Sequence, residues 1–283
     1  MRDFFLALMK TKIAIQGIKG SNHYQVALDY FGADIALEDC ASFDALVHSL
    51  VDQRADYGVM AIENSIAGSI IPNYALMDKY QLSIVGEYYL SIHHHLMALP
   101  GQTLEEISEV HSHPMALLQC NQFFYDYPQI KLVESEDTAA SALAIQRHGW
   151  KGIAAIAPKS SAELYGLEVL ADDIQTIKNN ATRFVVVTAQ QNESSIAGAN
   201  KASLRFVLDH KRGSLAAVLN ALSDCSMNLT KIQSLPVIDV PWKYAFFVDI
   251  TFEQTTDFEK AKALLSIMAH EFKVLGAYKN ARL

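Results

Sequence analysis

The stretch Glu109-Val110-His111-Ser112-His113-Pro114-Met115-Ala116-Leu117 decides the fold class of this chain. Residues 109–111 read as a short strand. Pro114 opens a helix that runs to about residue 124, because its fixed φ and missing N–H suit a first helical turn. A strand handed straight to a helix is half of a crossover unit, and the same rhythm continues on both sides. Downstream, 131–134 is a strand, Thr138 caps a helix to about Arg147, 152–157 is a buried strand, and Pro158 starts another helix. Upstream, 12–16 is a strand, 17–21 a turn and 22–31 a helix. Ser42 is placed to cap a helix in which Phe43, Leu46, Val47, Leu50 and Val51 recur at helical spacing. A strand over 57–62 and a helix within 68–77 follow. The segment 83–99 is long, apolar and partly alternating, with Gly86 as the candidate bend or lobe crossing. This alternation predicts α/β layers with largely parallel sheets.

The pattern changes after Ala189. The run AQQNESSIAGAN to Asn200 is small and polar, so it reads as a linker. Beyond it come a strand (203–208), a helix after Gly213, a strand (229–235), an alternating strand (244–252), a helix (257–269) and a last strand (272–278). Tyr244, Phe246, Val248, Ile250 and Phe252 share one face of the fourth element. That order is βαββαβ, the ferredoxin-like split pattern.

Composition bounds the function. The 283 residues, 51% hydrophobic and 19% charged, suit two domains with sizeable cores. A net charge of -8 leaves nucleic acid without an electrostatic footprint, and a chain this acidic must concentrate positive groups locally to bind an acidic substrate. Cys40, Cys120 and Cys225 are odd in number and scattered, which fits buried thiols in a reducing compartment. No apolar run approaches the roughly 18 residues of a membrane helix, and the start lacks a secretory pattern, so the expected location is cytoplasmic.

Chemistry-bearing residues gather where strands end. Asn180-Ala181-Thr182-Arg183-Phe184 joins a polar turn to a buried strand and offers a hydroxyl next to a guanidinium; a turn with a solvated Arg is the alternative. Gly17-Ile18-Lys19-Gly20-Ser21 joins a strand to a helix and matches neither a dinucleotide fingerprint nor a Walker loop. It reads as an anion-facing turn or as a plain tight turn. Glu63-Asn64-Ser65 lies past a strand end, where α/β sheets bind ligands, and also reads as a capped helix start. Ser112 is a cap or a cleft hydroxyl, and Gln119 a surface or ligand-facing amide. His93-His94-His95 is not read as a metal site, since consecutive strand residues point to opposite faces.

Taken together these segments resemble the prephenate dehydratase family. The similarity runs through Ile13 to Ser21, GVMAIENSIAG at 58–68, Ile92-His93-His94, Ser112-His113-Pro114 with Gln119-Cys120, Asp137-Thr138-Ala139, 155–167 and Thr182-Arg183-Phe184. The C-terminal part resembles the ACT regulatory domain that follows the catalytic domain in that family. The resemblance implies a two-lobed catalytic domain like type II periplasmic binding proteins over 11–190, with lobe 1 from about 11–90 and 170–190 and lobe 2 from about 91–169. The ACT domain would cover 201–283. It implies dehydration and decarboxylation of prephenate to phenylpyruvate, with no cofactor or metal, in a homodimer or homotetramer. By the same resemblance Thr182 assists the leaving hydroxyl, and Glu63 is a candidate proton source if burial raises its pKa. Arg183 pairs with a substrate carboxylate, Asn64, Ser112 and Gln119 donate neutral hydrogen bonds, Gly20 and Ser21 supply backbone donors, and Phe184 completes the substrate-binding motif. These groups are expected around one cavity. L-Phenylalanine is the expected regulator, at Gly213, Leu215, Asn228, Leu229, Gln233 and Ser234. The family's charged Glu and Arg are replaced there by Gln233 and Leu235, and Ala61 and Met115 stand where the family usually has Pro and Gln. Arogenate dehydratase, a non-catalytic amino-acid sensor and a secreted binding protein are the rival readings.

Overall fold

A computed structural model describes residues 10–190, 198–237, 240 and 242–282; the apolar run 4–9 and most of the expected linker lie outside them. The described chain divides into two compact units. One holds the residues up to Val59 with Asn64–Gly68 and Leu90–Thr182; the other holds Met60–Glu63, Ser69–Tyr89 and the residues from Arg183 onward.

The first unit starts with β1 (Lys12–Gln16), α1 (Asn22–Phe31), β2 (Ala36–Cys40) and α2 (Phe43–Val51). Strand β1 is buried along Ile13, Ala14 and Ile15 and pairs in parallel with β2, Ile13 opposite Leu37. Ser42 caps α2 by accepting from Ala45 N at 3.1 Å. Strand β2 is absent from the sequence expectation. It is an edge strand whose Glu38 and Asp39 break the apolar run.

β3 (Tyr57–Asn64) follows, parallel to β1 through Ile13 and Tyr57. Next come the two-residue β4 (Gly68–Ser69), α3 (Ile71–Lys79) and β5 (Ser83–Ser91). Gly86 is not the bend. It is buried inside β5, and the strand breaks at Ile92–His94 instead. There Ile92 N donates to Asn180 O at 2.8 Å and His94 N to the Gln175 side chain at 3.0 Å, so those amides leave the strand ladder.

A second sheet has the order β10-β6-β9-β7-β8, formed by β6 (His95–Ala98), β7 (Glu109–Ser112), β8 (Lys131–Glu134), β9 (Ile153–Ala157) and β10 (Glu168–Ala171). Strands β7, β8 and β9 are parallel, while β6 runs antiparallel to β9 and β10. Alternation sends Leu96, Val110, Ala154 and Ile156 into one apolar cluster and Met97, Ala155 and Ala157 into another, so both faces are covered. The covering helices are α4 (Pro114–Cys120), α5 (Thr138–His148) and α6 (Lys159–Tyr165). The expected long helix after Pro114 ends at Cys120 and tightens into a 3₁₀ turn over Asn121–Asp126. The cap of α5 is Asp137, one residue before Thr138, and it accepts from Ala140 N at 2.8 Å.

The β11 strand (Ala181–Thr188) lies between β3 and β5 in the sheet order β2-β1-β3-β11-β5. The C-terminal part is β12 (Lys201–Val207), α7 (Ser214–Asp224), β13 (Asn228–Pro236), β14 (Tyr244–Thr251), α8 (Thr255–Met268) and β15 (Glu271–Tyr278). Its antiparallel order β13-β14-β12-β15 is the βαββαβ arrangement. One face packs Phe206, Val248, Ile250 and Phe252 on Val218, Leu222, Phe258 and Leu265, with Phe252 stacked on Phe258 at 4.7 Å. The other face of this sheet is also covered within the second unit. Phe247 meets Tyr74 edge-on at 5.4 Å, and Arg205 pairs with Asp78 at 2.7 Å.

Candidate active site

Two consecutive residues of an extended strand point to opposite faces, and this rule sorts the expected site residues. In β3, Glu63 and Asn64 separate; in β11, Thr182 and Arg183 separate. The Asn64 amide Nδ2 donates to Thr182 Oγ1 at 2.9 Å and to Asn180 Oδ1 at 2.7 Å, with Ala181 O farther off at 3.3 Å. Its Oδ1 accepts from Ile66 N and Ala67 N at 3.0 and 2.9 Å, which folds the turn after β3 and locks the amide's orientation. An amide nitrogen has two hydrogens, so the two shorter contacts take both. Thr182 Oγ1 is therefore an acceptor toward Asn64, and its own proton is left for another partner.

The polar chain extends further. Asn180 Nδ2 donates to Gln119 Oε1 at 3.0 Å, and His94 Nε2 lies 2.9 Å from the same oxygen. An amide oxygen only accepts, so His94 carries its proton on Nε2. Burial lowers the His94 pKa, with the Gln119 contact opposing, and favours the neutral ring. Gln119 Oε1 is thus filled from two sides, and its NH2 group is what it has to offer a ligand. Asn180 is 2% exposed and Thr182 8%, while Gln119 and Asn64 are half-buried. This cluster gathers Thr182, Asn64 and Gln119, and it adds Asn180 and His94. Both additions sit inside segments that draw the eye for other reasons, the turn before Thr182 and the histidine run. Only their three-dimensional pairing shows their place.

The remaining expected residues lie elsewhere. Ser112 is fully buried and its hydroxyl donates to Ile156 O at 2.6 Å, tying β7 to β9; the cap of α4 is His113, through Met115 N at 3.2 Å. Ser21 caps α1 by accepting from Tyr24 N at 3.2 Å, and its own amide closes the turn onto Ile18 O. Gly20 has φ +89, where only glycine is unstrained, and its carbonyl accepts from the hydroxyls of Ser160 and Ser161 at 3.1 and 2.9 Å. The turn thus docks through its carbonyl on the start of α6. Beside it stands Asp137, whose carboxyl burial pushes toward the protonated form.

Arg183 and Glu63 are not with Thr182, because strand alternation turns them to the other face. Arg183 is 4% exposed and each of its three guanidinium nitrogens has a partner within the protein. Nε donates to Glu87 at 2.7 Å, Nη1 to Asp249, and Nη2 to Tyr278 OH at 2.9 Å. Burial works against the Arg183 charge, but Asp249, Tyr278 and Glu87 outweigh it and hold its pKa well above the ordinary value. Glu63, with its side chain 37% exposed, pairs with Lys231 at 3.0 Å and stands 4.0 Å from Arg183, so it is neither buried nor free. Phe184 is 1% exposed and belongs to the core.

Of the regulatory residues, Gly213 takes φ +84 at the start of α7, and Ser214 and Leu215 line a cavity of about 130 Å³ with Leu208–Lys211, Trp242, Tyr244 and Phe246. Asn228, Leu229, Gln233 and Ser234 are spread along the edge strand β13 and do not line it. Gln233 Nε2 donates to Ser234 O at 2.9 Å, and Leu235 is buried.

Residues 13–192 match the family described as prephenate dehydratase. The chain belongs to the prephenate dehydratase family. As a member it is a hydro-lyase of phenylalanine biosynthesis. It is 32% identical over 271 residues to the bifunctional chorismate mutase/prephenate dehydratase of Neisseria gonorrhoeae, covering 95% of this chain and 74% of that relative. The crystal structure of prephenate dehydratase in complex with L-Phe from Arthrobacter aurescens superposes with a TM-score of 0.86 at 25% identity, over 96% of this chain and 91% of that one. A structure described as a novel type of quorum quenching acylase, GqqA, superposes at 0.85 with 26% identity, over 95% and 97% of the two chains. Prephenate dehydratases of this fold thus share both the α/β sheets and the C-terminal βαββαβ sheet with the chain. Among its described residues no helix is long and apolar enough to cross a membrane.

Proposed function

We propose that the chain converts prephenate to phenylpyruvate, water and carbon dioxide, with the Thr182 hydroxyl as the donor to the departing oxygen. The observation that supports this is the direction of one hydrogen bond. Because Asn64 fills an acceptor position of Thr182 Oγ1, the Thr182 proton is free to meet the oxygen that leaves the ring. In the reaction the C–O bond breaks and its electron pair leaves on oxygen. The bond to the ring carboxylate then breaks, its pair completes the aromatic ring, and carbon dioxide departs. One proton is taken up to make water. A threonine hydroxyl is too weak an acid to supply that proton outright, so its part is a hydrogen bond that strengthens as charge builds on the leaving oxygen. Aromatisation drives the step, and no electrons go to an external acceptor, so neither metal nor redox cofactor is called for.

Substrate recognition in this reading uses a neutral donor, the Gln119 NH2 group, whose oxygen Asn180 and His94 hold, while Asn64 orients Thr182 and Gly20 and Ser21 shape the turn before α1. Ser112 supports the strand ends, and Arg183 and Glu63 act at a distance. Acyl transfer, suggested by the name of one structural neighbour, is not favoured. Thr182 is paired with an amide and has no base beside it among the described contacts, as an attacking hydroxyl needs.

The C-terminal sheet is read as an ACT domain over 201–283 that binds L-phenylalanine and joins copies of the chain into a homodimer or homotetramer; the cavity beside Ser214 and Leu215 and the exposed Leu229 and Ile232 of edge strand β13 support this. The test is to mix the purified chain with prephenate and measure phenylpyruvate and carbon dioxide. Equal yields of the two are expected, with slower turnover when L-phenylalanine is added. Untouched prephenate refutes the reading, and arogenate turned over in its place redirects it to the amine substrate. A rate indifferent to phenylalanine removes the regulatory part alone.

A further inference from the structure

Among the described residues, the most heavily buried carboxylates, lysine and arginine form one group around Arg183, the residue after Thr182, and take no part in the proposed chemistry. Arg183, Lys201, Glu87 and Asp249 are each at most 6% exposed. Two cations meet two anions, so the group is balanced. Arg183 bridges Glu87 of β5 and Asp249 of β14. Lys201, the first residue of β12, closes on both Glu87 oxygens at 3.0 and 2.8 Å, and Ala281 N adds a third donor at 3.1 Å. Ser203 Oγ donates to Asp249 Oδ1 at 2.5 Å and shares a bond of 2.6 Å with Tyr278 OH, which in turn accepts from Arg183. Burial and the nearby Asp249 push the Tyr278 pKa well up, so this phenol stays protonated and can serve as donor and acceptor at once.

A knot of this kind is a poor device for stability alone. Desolvating four charges costs about as much as their attraction returns, and apolar residues of equal volume often do better. Buried ionic groups are best attested where they fix register, and here the register in question is that of β11. Arg183 is gripped in a planar fork by two strands and a phenol, which leaves the backbone of its residue little freedom to slide or rotate. Thr182 is the preceding residue of the same strand, and its hydroxyl must meet the leaving oxygen within a few tenths of an ångström.

We propose that Asp249 and Glu87 are positioning residues for the dehydration: they clamp Arg183 and so set the Thr182 hydroxyl, coupling the C-terminal sheet to the catalytic strand. This rests on the reading of Thr182 given above. Asp249 stands in β14, opposite Ser203 of β12 and Lys231 of β13. A shift in that sheet therefore reaches Arg183 through one carboxylate.

The experiment is a kinetic cycle with prephenate on the full chain. Asp249→Asn and Glu87→Gln keep size, remove one charge each and turn one acceptor oxygen into a donor that faces donors, which loosens the grip on Arg183. Each is expected to lower kcat by about tenfold or more while KM stays within about threefold, because the interaction lost is one that acts on the transition state. In a Thr182→Ala background the same changes are expected to cost nothing further, since there is no hydroxyl left to position. A folded Asp249→Asn with unchanged kcat overturns the proposal, and so do losses that multiply in the Thr182→Ala background, as a merely structural role would give. If Asp249→Asn does not fold, Ser203→Ala decides in its place. It keeps every charge and loosens Asp249, with a kcat loss of about threefold or more expected, absent without the Thr182 hydroxyl; no loss overturns the proposal. Wild-type protein that leaves prephenate intact overturns the underlying reading itself, before any variant is compared.

Discussion

Replacing Asn64 by Asp changes one atom and reverses one hydrogen bond. The Asn64 Oδ1 contacts to Ile66 N and Ala67 N, at 3.0 and 2.9 Å, are retained and become charge-assisted, so the turn after β3 persists. The other oxygen then faces Asn180 Oδ1 and Thr182 Oγ1, where the amide stood at 2.7 and 2.9 Å. Two acceptors cannot share a contact. The Asn180 bond is lost, and the Thr182 hydroxyl rotates to donate to the new carboxylate. Its proton, free in the wild type, is then bound to the protein and withheld from the leaving oxygen. Losing one positioned donor to developing negative charge costs about 2.7–4 kcal/mol, or about 10²–10³ in kcat. The carboxylate also stands near a dianionic substrate, which adds a rise in KM. Steady-state rates on prephenate measure both, and thermal melting checks that the fold is kept. A folded Asn64→Asp variant with kcat within about threefold of wild type refutes the poised-proton argument.

Other consequences are as specific. Gly276→Ala places a Cβ 1.9 Å from Ile84 O and 2.8 Å from Ile84 C, both backbone atoms, so a loss of about 3 kcal/mol or more is expected in urea unfolding, and a midpoint near wild type would contradict the close approach of β15 to Ile84. His23 is buried beside Phe43, and burial lowers its pKa to about 4 from the usual 6.5. A lowered histidine pKa means the unfolded chain binds the extra proton, so stability is whole above about pH 6.5 and falls by about 3 kcal/mol as pH drops toward 4. His23→Phe should flatten that acid limb, and an unchanged limb would remove His23 from it.

The α/β alternation and the βαββαβ tail are legible because apolar period and turn chemistry act locally. Pro114, Ser42 and Pro158 mark their helix starts through φ restriction and capping, which need only neighbouring residues. Strand β2 escapes notice because an edge strand needs little burial, and Gly86 misleads because a buried glycine need not bend a strand. The site is half legible. Thr182, Asn64 and Gln119 carry suitable side chains at strand and helix ends, but Asn180 and His94 join them through contacts spanning 116 and 25 residues, Asn180 with Asn64 and His94 with Gln119. The separation of Thr182 from Arg183 follows from strand period alone. It overrides the attraction of placing every polar residue of a motif on one ligand. The destination of Arg183 depends on Glu87 and Asp249, whose partners are far off in the chain and carry no local signal.

The account turns on the hydroxyl of Thr182, and kcat on prephenate for Thr182→Ala and Thr182→Ser tests it most directly. The serine variant keeps the Oγ and its bond from Asn64, so a rate within about tenfold of wild type is expected, against a loss of at least about a hundredfold for alanine. Alanine and serine variants that turn over prephenate at the same rate as each other would contradict it.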